Sequence, residues 1–495
     1  MHDPAPSPRS PAPVWLCAVV VLLVAGYAVF LAQFISPYAG GADSSGYLNS
    51  ARLLGHAKFL VPARAIPGHA LTEFGETVYQ PLGFRIQPAS GEMVPTYPIG
   101  LPVHLLVAAK IAGWHNAAAA VNLLTVLGCG GLLWALARRL ALPPAGAAGA
   151  ILLLWLCPLF LFCAIQPMSD LLALGWSLAA LYCALGARDH WRWGLGCGAT
   201  VGLAVLVRPT NALLVVPVAV ALGFRFRAYL PVVLGGLPGA ACFAFYNWQV
   251  YGSPLSTGYG DVSTLFNRDF VPHNVAHFAV WIPALLSPLI VAALAAPFIP
   301  ALRQRGFAVL AAWFVTLTGF YVFYYHSGET WWYLRFILPA FPALILIAIA
   351  TLAAARSALR WRPTIAATVT AAVFLGAGIW QGWQVRRLDV LGFEHNERSY
   401  PDAARWAREN LPARSAIFCM QVSGAFYYYT DFIILRWEQV DDGKYGPLLA
   451  AAATDGRPVY AALFKFETPE ALEKIGGNWT KLDTVGQVTF WQRQP

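Results

Sequence analysis

Of the 495 residues only 33 are basic and 24 acidic, so 12% of the chain is charged while 58% is hydrophobic. That is about half the ~25% of charged residues usual in soluble domains, and the mean hydropathy is +0.56. So few charges cannot cover a soluble surface, which excludes a soluble enzyme, a disordered chain and a nucleic-acid binder and leaves an all-α polytopic membrane protein.

Residues 1–13 form a Pro-rich, nearly neutral leader. The apolar run 14–36 would be about 34 Å long as a helix, enough to cross a bilayer, and it lacks a small-residue cleavage site. A long polar stretch begins at Pro37, and with the next apolar segment it makes a large first outer loop, 37–115. Tyr97 to Gly113 is apolar but short and contains Pro98, Gly100, Pro102 and Lys110, so a helix lying along the outer surface is expected there. Spans are then expected near 116–137, 147–165, 171–187, 193–207, 211–224, 229–251, 277–299, 307–325, 336–355 and 364–383, about eleven with the first. The short segments 193–207 and 211–224 flank Arg208-Pro209 and read as either two spans or a re-entrant pair.

The net charge of +9 is concentrated in five short breaks between these runs. They hold Arg138, Arg139, Arg188, Arg192, Arg225, Arg227, Arg303, Arg305, Arg356, Arg360 and Arg362, with Asp189 the one acid among them. That puts +10 in the breaks and −1 on everything else, the pattern of the positive-inside rule. The N-terminus and the Arg-rich breaks are therefore expected in the cytoplasm of a cell whose inner (plasma) membrane holds the chain, with the C-terminal part outside. That part, 386–495, has 13 basic and 14 acidic residues. Its helical and strand-like runs (helix 401–411, strands 416–420, 458–464 and 488–492, helix 469–475 with Thr468 as N-cap) predict a small α/β extracytoplasmic domain. Seven of the eight cysteines lie in apolar runs and only Cys419 lies in that domain, so it has no internal disulfide.

No charge sits mid-span, which argues against an ion relay through the bilayer. Asp43, Asp170, Arg208, Glu329 and Arg335 instead mark the outer ends of spans, an arrangement suited to a lipid-linked anion. Asp43, in Gly41-Ala42-Asp43-Ser44-Ser45-Gly46-Tyr47, reads either as a base for a hydroxyl or as an N-cap of the helix that follows. Asp170, at the start of a span, reads either as a cap or dipole partner or as a catalytic acid, with the first preferred. Arg335, among Trp331, Trp332, Tyr333 and Phe336, is suited to grip a phosphate bidentately or to snorkel to the interface. His273 and His277 stand i, i+4 without a carboxylate to complete a metal motif.

Taken in order, the loop opening at Asp43, Tyr97-Pro98-Ile99-Gly100-Leu101-Pro102, Pro167-Met168-Ser169-Asp170, Arg208-Pro209 and Arg335-Phe336-Ile337-Leu338-Pro339-Ala340-Phe341-Pro342 resemble the C-type (GT-C) integral membrane glycosyltransferases. The bacterial branch akin to protein O-mannosyltransferases and aminoarabinose transferases is the most similar. The resemblance covers residues 14–355. It implies an inverting hexosyl- or pentosyltransferase that moves a sugar from a polyprenyl-phosphate donor to a hydroxyl of a lipid, glycan or protein at the outer (periplasmic) face. Asp43 would be the base, Arg335 with Arg208 would bind the donor phosphate, and Tyr47, Tyr97, Asp170, Glu329 and Tyr333 would line the substrate site. Ser44 follows Asp43 where the family more often has a second acid, so a divalent cation is left open, and no soluble cofactor is implied. The alternative is a transporter or flippase of lipid-linked sugars, which would favour inverted repeats and midplane charges.

Overall fold

The computed structural model describes residues 14–87, 90–359 and 361–494; the leader 1–13 and Arg360 lie outside the described residues. Among those described, Ala117–Arg139, Ser169–Gly186, Phe226–Tyr251, Trp331–Ala358 and Pro363–Arg387 are helical segments long and apolar enough to cross a membrane. Two further spans are bent. Pro144–Trp155 and Pro158–Ala164 meet at 63°, and Arg268–Leu286 and Pro288–Phe298 meet at 111°. Each break is followed by a proline, which cannot extend the preceding helical hydrogen bonds, and Ser287 at the second takes a positive φ of 76°. The span expected at 277–299 is thus made of parts of two helices at a sharp angle.

Ala18–Ala32, Trp191–Val207, Pro209–Leu222 and Arg305–Tyr321 are apolar but shorter. Each of the eleven expected spans coincides with one of these helices or bent pairs; length and composition alone qualify five, or seven with the pairs. The apolar segment 97–113, expected as a surface helix and not a span, contains the short helix Gly100–Ala112. Large apolar side chains, such as Leu22, Leu124, Leu234, Leu294 and Leu375, stand exposed on the helical body, the outward face of an integral membrane protein. The helices Trp191–Val207 and Tyr229–Tyr251 approach to backbone contact: a Cβ on Gly198 would lie 1.9 Å from the Val232 carbonyl oxygen. Small residues permit such approach where lipid supplies no hydrophobic drive between helices.

Two β-structures lie at one end of this body. Phe84–Ile86 (β1) and Met93–Pro95 (β2) form an antiparallel hairpin in the first loop. In the C-terminal domain, Ala416–Phe418 (β3), Ile433–Leu435 (β4), Val459–Phe464 (β5), Trp479–Val485 (β6) and Val488–Arg493 (β7) form one sheet of order β4-β3-β5-β7-β6. Its three strands β4, β3 and β5 are parallel, and β7 and β6 add an antiparallel edge. β4 and β6 were not foreseen: Ile433–Leu435 is only three residues, and β6 is mostly exposed and mixed in polarity. Thr468 is the first residue of its helix and not the cap.

Alternation along the central strands sends side chains to two apolar layers. Ile417, Ile434 and Ala462 meet the helices Ser399–Asn410 and Ser423–Tyr429 on one face. Phe418, Leu435 and Leu463 meet Ile66, Phe74, Val78 and Tyr79 of the first loop on the other. Backbone bonds reinforce that layer, with the Arg436 amide donating to the Val78 carbonyl at 2.8 Å and the Asp441 amide to Phe74 at 2.9 Å. The first loop and the C-terminal domain therefore share a core.

Candidate active site

The site lies beneath the C-terminal domain, where the helices Ala42–Gly55 and Ser169–Gly186 begin, the helix Trp191–Val207 ends and the 3₁₀ segment Trp331–Ala340 passes. Asp43 is the second residue of the helix Ala42–Gly55, whose N-cap is Gly41 and which has no side-chain cap bond. The capping role weighed for Asp43 is thereby replaced: its carboxylate meets the Arg335 guanidinium, Oδ2 to Nη2, at 2.8 Å. Gly46, one turn on, lies against Tyr97 and Gly83; a Cβ there would sit 2.3 Å from the Tyr97 ring. That close approach brings Tyr97 beside Asp43. Burial pushes the Asp43 carboxyl up, but the Arg335 charge and hydrogen bonds from Tyr97 and Arg335 outweigh it and hold the group below the usual carboxylate range.

Arg335 lies in the 3₁₀ segment Trp331–Ala340 that leads into the span helix Phe341–Ala358. Its Nη1 reaches the Met168 sulfur at 3.5 Å, while its Nε is buried and has no hydrogen-bond partner among the described residues. Arg208 owes its position to Pro209. A residue before proline is driven out of the α region, and Arg208 is extended at φ −144°, ψ 114°, closing the helix Trp191–Val207. Its side chain turns to Asp170 in a direct ion pair, 14% exposed on the arginine and 4% on the acid. Asp170 is in the first turn of Ser169–Gly186, where the helix dipole adds to the attraction. The two guanidinium groups stand over the same ring, Phe336, at 5.2 and 5.3 Å from its centroid.

Tyr47 donates to Ser169 Oγ at 2.8 Å and packs on Tyr97 with ring centroids 4.7 Å apart. Asp43, Tyr47, Tyr97, Asp170, Arg208, Tyr333 and Arg335 thus come together from across the chain. Glu329 stands at the margin: it faces His326 at 2.9 Å, one third exposed, and meets the set only through the Tyr333 side chain. His273 and His277 meet the backbone carbonyls of Gly328 and Thr330 at 3.0 and 3.2 Å. No cluster of three His, Cys, Asp or Glu residues suited to a metal occurs among the described residues.

A cavity of about 650 Å³ opens over the Asp43–Arg335 pair. Trp331, Trp332 and Tyr333 form part of its wall, and the C-terminal domain supplies Glu397, Tyr400 and Gln421. Sequence reasoning missed those three. Glu397 stands in the charged run Glu394-His395-Asn396-Glu397-Arg398, which reads like any solvated surface, and no local signal separates it from its neighbours.

Interrupted apolar helices lead into the site, a carboxylate–guanidinium pair joins two of its segments, and an α/β domain covers its cavity. Residues 99–248 match the family model of dolichyl-phosphate-mannose-protein mannosyltransferases. ArnT from Cupriavidus metallidurans, solved bound to undecaprenyl phosphate, has a similar structure with a TM-score of 0.60 at 15% identity, covering 96% of this chain and 98% of that one. Its apo state matches with the same figures. No functionally curated protein matches the sequence. The chain has the C-type glycosyltransferase fold, and the resemblance read from its sequence is borne out.

Proposed function

We propose that the protein transfers a sugar from a polyprenyl-phosphate donor to an acceptor hydroxyl at the outer face of the inner membrane, with inversion at the anomeric carbon. The observation that carries this reading is the 2.8 Å Asp43–Arg335 pair on the floor of a large cavity at the edge of the apolar body. The undecaprenyl phosphate held by ArnT and the polyprenyl-phosphate sugar named in the matching family model support the donor class.

Each half of the pair has a part. The Arg335 guanidinium lines the cavity, and such a group can hold a phosphate bidentately. As the bond from the anomeric carbon to the phosphate oxygen breaks, negative charge grows on the leaving phosphate, and a preorganised cation lowers the energy of that state. Asp43 takes the proton of the acceptor hydroxyl as its oxygen forms the new bond from the opposite face. The pair also couples the two events. With Arg335 drawn to the donor, one of the influences that lower the Asp43 carboxyl weakens, so Asp43 becomes a stronger base when the donor is in place. Arg208, already neutralised by Asp170, acts by fixing Phe336 and the local field.

The test is transfer of label from a panel of radiolabelled polyprenyl-phosphate sugars to membrane extract by the purified protein. The same label crossing a vesicle bilayer with its phosphate bond intact would instead identify a flippase.

A further inference from the structure

The helix Ala42–Gly55 begins in an unusual way. Its N-cap is a glycine, which has no side chain to offer, and its own first-turn acid is engaged by Arg335. A helix start leaves backbone N–H groups in need of acceptors, and in a capping box a carboxylate three residues inside the helix takes the N–H of the N-cap residue. Here that position is Ser44. The acceptor comes from 356 residues away: Glu397 Oε2 takes the Gly41 amide at 3.3 Å.

Two further observations tie Glu397 to this one purpose. It is only 6% exposed, and among the described residues no cation lies within ion-pair distance of it. A Cβ on Gly40 would lie 1.6 Å from the same Oε2, so the chain before the helix is pressed against the carboxylate and residue 40 has no room for a side chain. One residue earlier, the Ala39 amide donates to the Tyr429 hydroxyl at 2.9 Å. Residues 39–41 are thus held by the C-terminal domain on both counts.

We propose that Glu397 is a positioning residue: by capping the helix Ala42–Gly55 from the C-terminal domain, it holds Asp43 in register with Arg335 and leaves the Asp43 carboxylate free for chemistry. The part of this that concerns turnover rests on Asp43 being the base; the capping itself does not.

The experiment compares Glu397→Gln, which keeps a carbonyl oxygen for the Gly41 amide, with Glu397→Ala, which does not, and with Gly40→Ala, which pushes on the contact from the other side. Two readouts are taken on the full chain in nanodiscs. Hydrogen–deuterium exchange of the 39–47 segment, measured without substrate, should rise in Glu397→Ala and Gly40→Ala and match wild type in Glu397→Gln. Turnover of the labelled polyprenyl-phosphate sugar should show kcat lower by on the order of tenfold or more in the two Ala variants, with donor KM within about twofold, and rescue in Glu397→Gln. Wild-type exchange in Glu397→Ala would overturn the capping role. Glu397→Gln with wild-type exchange but kcat as low as Asp43→Asn would overturn positioning and place Glu397 in the chemistry. If wild-type protein transfers no label, the proposed function fails and the exchange arm alone decides the cap.

Discussion

Asp43 and Arg335 are each half of a pair, so single substitutions act on both. Asp43→Asn removes the base and is expected to lower kcat by roughly two orders of magnitude. It also frees Arg335, so binding of undecaprenyl phosphate, measured by titration in detergent, should be as tight as in wild type or tighter. Strong turnover in a folded Asp43→Asn protein would shift the base to Asp170. Arg335→Lys keeps the charge and loses the fork geometry; donor affinity should fall by about 1.5–3 kcal/mol, the range for hydrogen bonds to charged groups. Unchanged donor binding would make Arg335 an interfacial structural residue. The residue types at positions 43 and 335 were legible because a charge at the end of an apolar run stands out. Their pairing was not, since the 291 intervening residues contain nothing that sets the separation of two helix ends.

At the scale of elements, proline-interrupted helices create the polar site. Pro209 holds Arg208 extended, and the turn at Pro167 presents Asp170 to it. Because this pair is little exposed, removing one partner strands a buried charge, which typically costs about 3–5 kcal/mol, whereas replacing both with apolar residues can be near neutral. Thermal unfolding of Arg208→Met, Asp170→Leu and the double variant should follow that order, with the double nearer wild type than Arg208→Met. Additive losses would mean that the ion pair contributes little coupling. Arg208-Pro209 was recognisable as a break in the sequence; its partner Asp170, on the neighbouring helix, followed only from packing.

For the molecule as a whole, the C-terminal domain and the membrane body meet at Glu397. Burial first, and then the nearby Asp43 charge, pushes its carboxyl up to about 7 despite the opposing bond from the Gly41 amide; Tyr400 is the other titratable group beside it. The ordinary value is 4.5. Below that pH the carboxyl is protonated in both folded and unfolded chains. As pH rises toward 7 the unfolded chain releases the proton first, so stability falls over that window and the loss levels off near ~3 kcal/mol. Glu397→Gln cannot ionise and should melt above wild type at pH 8 but close to it at pH 4.5. A melting difference independent of pH would show that Glu397 does not titrate in this window.

Orientation is a second property of the whole. The helix Ala117–Arg139 ends in Arg138 and Arg139, and the helix Ser169–Gly186 carries Asp170 in its first turn and leads to Arg188, so the basic breaks lie at the far end of these helices from the site. Single cysteines introduced at 138, 225 and 303 in a cysteine-free background should resist an impermeant thiol reagent on intact cells, while one at 261 reacts. The reverse pattern would invert the orientation.

Composition, the concentration of arginine in a few breaks and the positions of proline determined the membrane class, the expected spans and the charged residues worth attention. These are signals read within one turn or one span, where hydropathy and backbone sterics act locally. The wall that the C-terminal domain lends to the cavity, Glu397, Tyr400 and Gln421 among it, the core it shares with the first loop and the cap it places on the Asp43 helix were decided by tertiary structure alone. Each depends on a contact between segments hundreds of residues apart, and the energy of such a contact is set by how two surfaces pack, not by any pattern along the chain.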